Sequence, residues 1–463
     1  AKAKPADPFN AFKSHELCAK AIGKSAVLLK NEGILPLKNL NKCCIIGELA
    51  ENPVYCGNGS ARVNPIHPVS FLEAARARKA DIPYTPGYDF LPAINPQRMI
   101  DALDLASKSD KVILFLGLNP GVESEGYDRV DLQIPVEQRK LFDQIYAVNP
   151  NIIVVLNVGS PVELPFRDRA SAILLTYLPG EAFGEAIVQL LSNEVCPSGK
   201  LAETWPVHLL DVPSFGYYPG SETQSLYRES VYVGYRYYSS VPKKMKKTEV
   251  PIVAYPFGHG LSYARIGYGD FSLSANTLSQ GESLTVSLEV INRSKFPADH
   301  LVQIYLNPDK GNVFKPTRQL IAFRKLHLGA ESRQTVCFVI DYSAFAHYDT
   351  NSKKFLVEGG GYAVEVGHSS LDIALSKRIK VISEDTFPSL QYSLPVYYNP
   401  GSDGFLSYDN NFEALLGHEI PPIKDPKTRP FTMNSTISDI SDTWIGKKVL
   451  AEGMKRLESL GED

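Results

Sequence analysis

Cysteine is scarce in this sequence. Cys18, Cys43, Cys44, Cys56, Cys196 and Cys337 are the only six among 463 residues, and no two have C-x-x-C spacing. His and Cys ligands do not cluster, which argues against a metal site, and no cofactor is expected. The adjacent pair lies in the apolar run Cys43-Cys44-Ile45-Ile46-Gly47. Small buried thiols in a reducing compartment are therefore expected, and with them a cytoplasmic location. A charge excess is also absent: 48 Lys and Arg against 51 Asp and Glu leave a formal net charge of −3. With no basic face, a nucleic-acid partner is not expected. The one dense basic run, Lys243-Lys244-Met245-Lys246-Lys247, stands between Pro242 and Pro251 and reads as a solvated loop. No apolar stretch reaches the roughly 20 residues needed to cross a bilayer, so no membrane partner is expected. No secretory leader, internal repeat or low-complexity tract is visible.

What is present is length and a change of texture. The chain is too long for one ordinary core and predicts two or three domains. Residues 1–13 read as a linker. From 14 to 262, short apolar runs alternate with amphipathic stretches. Strands are predicted at Cys44 to Ile46, Val112 to Phe115, Ile152 to Leu156 and Ala172 to Leu175, and helices at Asn95 to Ser107, Val136 to Val148 and Ala182 to Leu191. Fully apolar strands between helices imply an α/β/α sandwich around a mostly parallel sheet. From 263 to 383 the pattern has period two, at Leu284 to Val290, His300 to Leu306, Gln334 to Ile340 and Tyr362 to Val366. That is the pattern of an antiparallel β-sandwich. Residues 384–463 are rich in Pro, Asn, Ser and Asp and read as a C-terminal extension, with a helix expected at Ile445 to Leu460.

The chemistry concentrates in one loop. Glu123-Ser124-Glu125-Gly126-Tyr127-Asp128-Arg129 follows the strand ending at Gly117. In an open α/β sheet, ligands bind outside the carboxyl ends of the strands, where a rigid element can hold a carboxylate against a substrate. Alternation along an extended loop would put Glu123 and Glu125 on the same side. Gly57-Asn58-Gly59-Ser60-Ala61-Arg62 invites a dinucleotide-binding reading, which fails because Arg62 occupies the third glycine's place. Gly258-His259-Gly260 reads as a tight turn. Tyr235, Tyr237 and Tyr238 alternate as in a strand and read as core and rim packing residues.

Several motifs together carry a resemblance. They are Ser25 to Leu37, Gly57 to Pro65, Glu125-Gly126-Tyr127-Asp128-Arg129 with Leu132 to Pro135 and Gln138, Pro197 to Pro206, Val233 to Tyr238, and Tyr255 to Tyr263. In this order and spacing the sequence resembles the C-terminal portion of glycoside hydrolase family 3, the β-glucosidase-like enzymes. The resemblance implies that the β-sandwich is a fibronectin type III-like module. It implies a retaining mechanism, in which one carboxyl attacks the anomeric carbon and a second protonates the leaving oxygen and later activates water. By the same resemblance Glu125 is the acid/base, with Glu123 the competing candidate; Ser60, Arg62, Asn64 and Glu123 are expected to bind substrate, the first three bordering the aglycone side. Asp128 and Arg129 form a structural pair. The family's nucleophile is an Asp on a (β/α)₈ barrel that this sequence does not contain. Ser441-Asp442-Thr443-Trp444 is a near miss to the nucleophile's context and is read as coincidence. The expected substrate is a β-glucoside or oligosaccharide, the expected partner is a barrel domain or chain, and assembly into a homo-oligomer is compatible with this. Without the barrel, the chain is expected to be inactive, with Glu125 titrating like an ordinary surface Glu. The alternative is a non-catalytic carbohydrate-binding or interaction protein. The sequence departs from the family pattern at Glu181, at Phe183 and at Ala61, which puts the shape of the aglycone side in question.

Overall fold

The structure is a computed structural model. It describes residues 10–80, 82–90, 95–126, 128–221, 224–241, 251–401, 406, 409–423, 430–432, 435, 437–441 and 443–460. The basic run Lys243 to Lys247 and residues Tyr127 and Asp442 lie outside the described residues, as do residues 1–9 of the linker.

Six strands form the first sheet: β1 (Val27–Asn31), β2 (Cys43–Ile46), β3 (Tyr84–Thr85), β4 (Lys111–Gly117), β5 (Ile152–Asn157) and β6 (Ala172–Leu175). Their spatial order is β1-β6-β5-β4-β2-β3. All neighbouring pairs are parallel except β1, which runs antiparallel to β6 at the edge. The helices are α1 (Ala11–Ser25), α2 (Phe71–Ala77), α3 (Pro96–Ser107), α4 (Val136–Val148) and α5 (Phe183–Ser192). Strand β4 shows why both faces are covered. Val112, Leu114 and Leu116 join a core with Ala102, Leu141 and Phe142 of α3 and α4. Ile113 and Phe115, on the opposite face by the period of two, join a core with Ile22, Phe71 and Phe183 of α1, α2 and α5. Each fully buried side chain of this size contributes roughly 1.5–3 kcal/mol, so one strand anchors two layers of helix. Cys43 and Cys44 are buried in β2, where burial pushes the Cys43 thiol up to about 11. Cys337 is exposed, and all six cysteines are free thiols.

A small pair, β7 (Trp205–Pro206) and β8 (Val253–Tyr255), closes this region, with α6 (Tyr235–Ser240) between them in sequence. The strand-like reading of Tyr235, Tyr237 and Tyr238 is therefore corrected: they lie on a helix that starts at Gly234, whose φ is +56°. Their packing role holds, with Tyr235 stacked on Phe257 at 4.5 Å and Tyr238 buried.

The β-sandwich comprises β9 (Ile266–Leu273), β10 (Thr277–Leu278), β11 (Ser283–Asn292), β12 (Ala298–Pro308), β13 (Gln319–Leu328), β14 (Arg333–Asp341), β15 (Ala346–Asp349), β16 (Lys354–Val357), β17 (Gly360–Gly367) and β18 (Ile373–Val381). Sheets of order β10-β18-β17-β12-β13 and β14-β11-β9 face each other, and β15 and β16 form a separate hairpin. Leu284, Val286, Leu288 and Val290 alternate inward from β11 into the shared core. The sandwich is joined to the α/β region by specific bonds: Gln303 Nε2 donates to Gly258 O at 3.1 Å, and the Ser370 amide donates to Phe257 O at 2.9 Å.

By compactness the chain divides into a large unit, residues 1–215 and 229–407, and a small one, residues 216–228 and 408–463. In the large unit α7 (Pro395–Tyr398) is held by Tyr232, whose hydroxyl donates to Tyr397 O at 2.5 Å. The small unit contains α8 (Asp409–Leu416), α9 (Ile437–Ser441) and α10 (Trp444–Leu460), the last matching the helix expected there. Arg228 lies 4.4 Å over the Tyr217 ring and pairs with Asp409. Thr443 caps the start of α10 by accepting the Gly446 amide at 2.9 Å, so this part of the near-miss motif is a helix junction.

Candidate active site

The chain winds outward in opposite directions from β2 and β4, which are neighbours in the sheet. This is a topological switch point, where the loops leaving the strand ends part and open a crevice. A glycine under tight packing stands at each exit, Gly47 just after β2 and Gly117 at the end of β4. A Cβ at Gly47 would lie 2.3 Å from Phe115 O, and one at Gly117 would lie 2.0 Å from Asn157 O. Gln138 of α4 fixes the exit of β4. Its Oε1 accepts the Gly117 amide and its Nε2 donates to Gly117 O, both at 2.9 Å in a buried setting. Asn157 fixes β5 to the loop after β2, accepting the Val54 amide at 2.9 Å.

Two loops meet across the crevice. Asn58 Nδ2 donates to Pro120 O at 2.6 Å, and the Ser60 amide donates to Glu125 Oε2 at 2.7 Å. Gly59 has φ +71°, and a Cβ there would sit 2.8 Å from the Glu125 Cβ, so only glycine allows this approach. Hydrogen bonds from the Ser60 side chain, then from its amide, hold the exposed Glu125 carboxyl below its usual value. Arg62 and Asn64 are exposed on the same loop.

Glu123 behaves differently. It accepts the Gly159 amide at 2.7 Å on Oε2 and the Ser160 hydroxyl on Oε1. The expectation that both glutamates point to one side is corrected. In the order β5-β4-β2, the loop after β5 lies on one flank of the β4 exit and the loop after β2 on the other. Glu123 takes its partners from the first and Glu125 from the second. The chain bends at Glu123 and turns at Glu125-Gly126, where Gly126 has φ +95°, instead of running extended. Arg129 Nη1 donates to Ser160 Oγ at 2.9 Å and to Pro161 O at 3.0 Å. A cavity of about 820 Å³ lies beneath the 128–135 stretch, lined by Tyr88, Phe90, Met99 and Ile134 among others. Neither Glu125 nor Ser60 lines it, so Glu125 stands on an open surface.

His259 has a structural place. Its buried ring stacks on Tyr255 at 4.9 Å, and Nε2 lies 2.9 Å from Leu29 O, a contact that needs the proton on Nε2. Burial lowers its basicity. Sequence reasoning missed Asn58, Ser160 and the structural role of Gln138. Asn58 and Gln138 lay within quoted motifs, but their partners, Pro120 and Gly117, follow only from the sheet order. Among the described residues no group of His, Cys, Asp and Glu side chains is placed to hold a metal ion.

Comparison with known proteins fits this geometry. Residues 26–263 match the glycosyl hydrolase family 3 C-terminal domain, and residues 300–370 match the fibronectin type III-like domain. The chain belongs to glycoside hydrolase family 3. It is 38% identical over 416 residues to thermostable beta-glucosidase B of Acetivibrio thermocellus, covering 89% of this chain and 53% of that protein. It is also 38% identical over 375 residues to an exo-alpha-(1->6)-L-arabinopyranosidase of Bifidobacterium longum, covering 78% of this chain and 48% of that one. Among solved structures, the family 3 beta-glucosidase of Bifidobacterium adolescentis superposes with a TM-score of 0.75 at 33% identity, over 97% of this chain and 59% of that one. The chain thus spans about half the length of the relatives it matches.

Proposed function

We propose that this chain supplies the general acid/base, Glu125, of a retaining β-glucosidase-like site whose nucleophile lies on a (β/α)₈ barrel outside this sequence. The observation that carries the reading is the disposition of the two loop carboxylates. Glu123 has both oxygens engaged by Gly159 and Ser160, whereas Glu125 is exposed and held at the switch point through a single oxygen bonded to the Ser60 amide.

In the first half-reaction Glu125 gives its proton to the glycosidic oxygen as the barrel's Asp bonds to the anomeric carbon. In the second it takes a proton from water as that water displaces the Asp. Ser60, Arg62 and Asn64 border the leaving-group side. In this chain, Ser60 keeps the Glu125 carboxyl low, so at neutral pH it is in its base form. The acid form requires burial and a second negative charge, both of which raise a carboxyl pKa. A docked barrel bearing the nucleophile would bring both. Acid/base assistance alone is worth roughly 10²–10⁴ in rate, far short of the acceleration typical of a whole enzyme. The sugar is set by the barrel; the relatives' names span a glucosidase and an arabinopyranosidase.

The test is hydrolysis of a chromogenic β-glucoside by the chain alone and mixed with a family 3 barrel domain from the same source. Activity is expected only in the mixture, lost in Glu125→Ala and partly restored by azide. Activity of the chain alone that survives Glu125→Ala would overturn the assignment. Retained sugar binding with no hydrolysis in either case would favour a non-catalytic carbohydrate-binding protein.

A further inference from the structure

The stretch from Glu123 to Arg129 leaves the body of the fold and returns to the same three residues, Gly159-Ser160-Pro161, on the turn after β5. At the departing end, Glu123 accepts the Gly159 amide at 2.7 Å and the Ser160 hydroxyl. At the returning end, Arg129 Nη1 donates to the Ser160 oxygen at 2.9 Å and to Pro161 O at 3.0 Å. A serine hydroxyl has one proton to give and lone pairs to receive. Ser160 uses both functions, one on each end of the loop. Between these ends Glu125 reaches the opposite flank, where it accepts the Ser60 amide.

We propose that Ser160, with Glu123 and Arg129, forms a clamp that sets the shape of the Glu125 loop, making these three residues positioning residues rather than sugar contacts. The inference rests on the reading of Glu125 as acid/base. Both Glu123 oxygens are taken by this clamp. If the Glu123 side chain swung out of the clamp toward a sugar, it would leave the partly buried Gly159 amide unpaired. Arg129 is held in the clamp at a cost. Its Nε and Nη2 are buried and make no hydrogen bond among the described residues. Burial lowers its pKa, and the nearby negative charges of Glu123 and Asp131 offset this only in part, which ties the cation electrostatically to the loop it closes. Hydroxyl, carboxylate and guanidinium thus act as one unit, and loss of the hydroxyl releases both ends together.

The test needs no turnover. Carbon-13 labelling of glutamate side chains allows Glu125 to be titrated by NMR in the intact chain, and amide exchange reports the order of residues 124–128. Ser160→Ala should move the Glu125 midpoint up toward the ordinary value of about 4.3 and speed exchange across the loop by tenfold or more. Ser160→Thr, which keeps the hydroxyl, should restore both. Glu123→Gln, which keeps the shape and drops the charge, should give an intermediate result and serves as the second variant should Ser160→Ala fold poorly. An unchanged Glu125 midpoint and unchanged exchange in folded Ser160→Ala or Glu123→Gln would overturn the clamp. In the barrel mixture, Ser160→Ala should lower kcat tenfold or more, leave KM within twofold and shift the pH profile. If the mixture never hydrolyses the glucoside while the NMR shifts appear as expected, the acid/base reading fails and the clamp stands.

Discussion

His15 of α1 sits between two carboxylates, with Nδ1 3.2 Å from Glu181 Oε1 and Nε2 3.0 Å from Glu185 Oε1. Burial pulls the imidazole down, but hydrogen bonds and charge from Glu185 and Glu181 outweigh it, and the net displacement is upward. Burial likewise pushes Glu181 up, yet the amides of His67 and Ile66 and the His15 ring bring it below the ordinary value. The signs define a window. A raised histidine contributes stability that is fully present below its unfolded pKa, about 6.5, and is lost as pH rises through the folded value. A lowered glutamate contributes stability that is present above about 4.3 and is lost as pH falls through its folded value. The melting temperature of His15→Gln should therefore fall furthest below that of the unsubstituted chain near pH 5–6. The gap should narrow as the pH rises through the folded value, at roughly 2–4 °C per kcal/mol. A gap constant from pH 5 to 8 would mean that packing, not charge, makes the contribution. Glu181 was legible in the sequence as a departure from the family pattern, and the structure gives that departure a purpose. Its other oxygen, Oε2, accepts the Ile66 and His67 amides at 3.0 and 3.2 Å, anchoring the end of the segment that carries Ser60, Arg62 and Asn64. That purpose was hidden because His15 and Glu181 are 166 residues apart in sequence.

Among the elements, β4 and α4 carry the site through a single side chain. Gln138 returns from the first turn of α4 to satisfy both the amide and the carbonyl of Gly117, where the sheet ladder ends. Gln138→Ala would leave two buried backbone groups unpaired, at about 1–3 kcal/mol each. Urea unfolding should show a loss of about 2–6 kcal/mol. A loss under about 0.5 kcal/mol would mean that another group or a water takes over the bonds. Phe183, a second departure from the family pattern, is accommodated at the start of α5, fully buried with its ring 6.2 Å from Phe115. Long, strongly periodic elements such as β4, β5, α3 and α4 were readable from their apolar spacing. Strand β1 and helices α1 and α2 were not proposed, although α2 carries a complete capping box between Ser70 and Glu73. β1 is made a strand by pairing with β6, about 145 residues later, a contact without a local signal. For α6, tyrosines at positions 235, 237 and 238 satisfy strand and helix spacing equally, and the left-handed Gly234 decides the outcome.

Viewed whole, the large unit brings two chemically different loops together at the carboxyl ends of β2 and β4. Beside Glu125, the loop after β2 exposes Val63 at 59% and Ile66 at 65%, and the loop after β4 exposes Val122 at 39% and Val130 at 92%. Single exposed apolar side chains are ordinary, but four on the two loops that frame one carboxylate mark a surface suited to burial against another body. Their positions were readable in the sequence. The meeting of the two loops that carry them was not, because it follows from β2 and β4 being neighbours at the switch point. On the proposed reading that body is the barrel, whose arrival would desolvate Glu125 and raise its pKa. Val63→Asp combined with Val130→Asp should leave the chain's own stability within about 0.5 kcal/mol, as expected for exposed positions. The same pair should weaken association with a family 3 barrel domain by tenfold or more in calorimetric titration, and reduce hydrolysis in the mixture at subsaturating barrel in proportion. Unchanged association would place the barrel elsewhere. It would also remove the means by which Glu125, now held low by Ser60, becomes an acid at neutral pH.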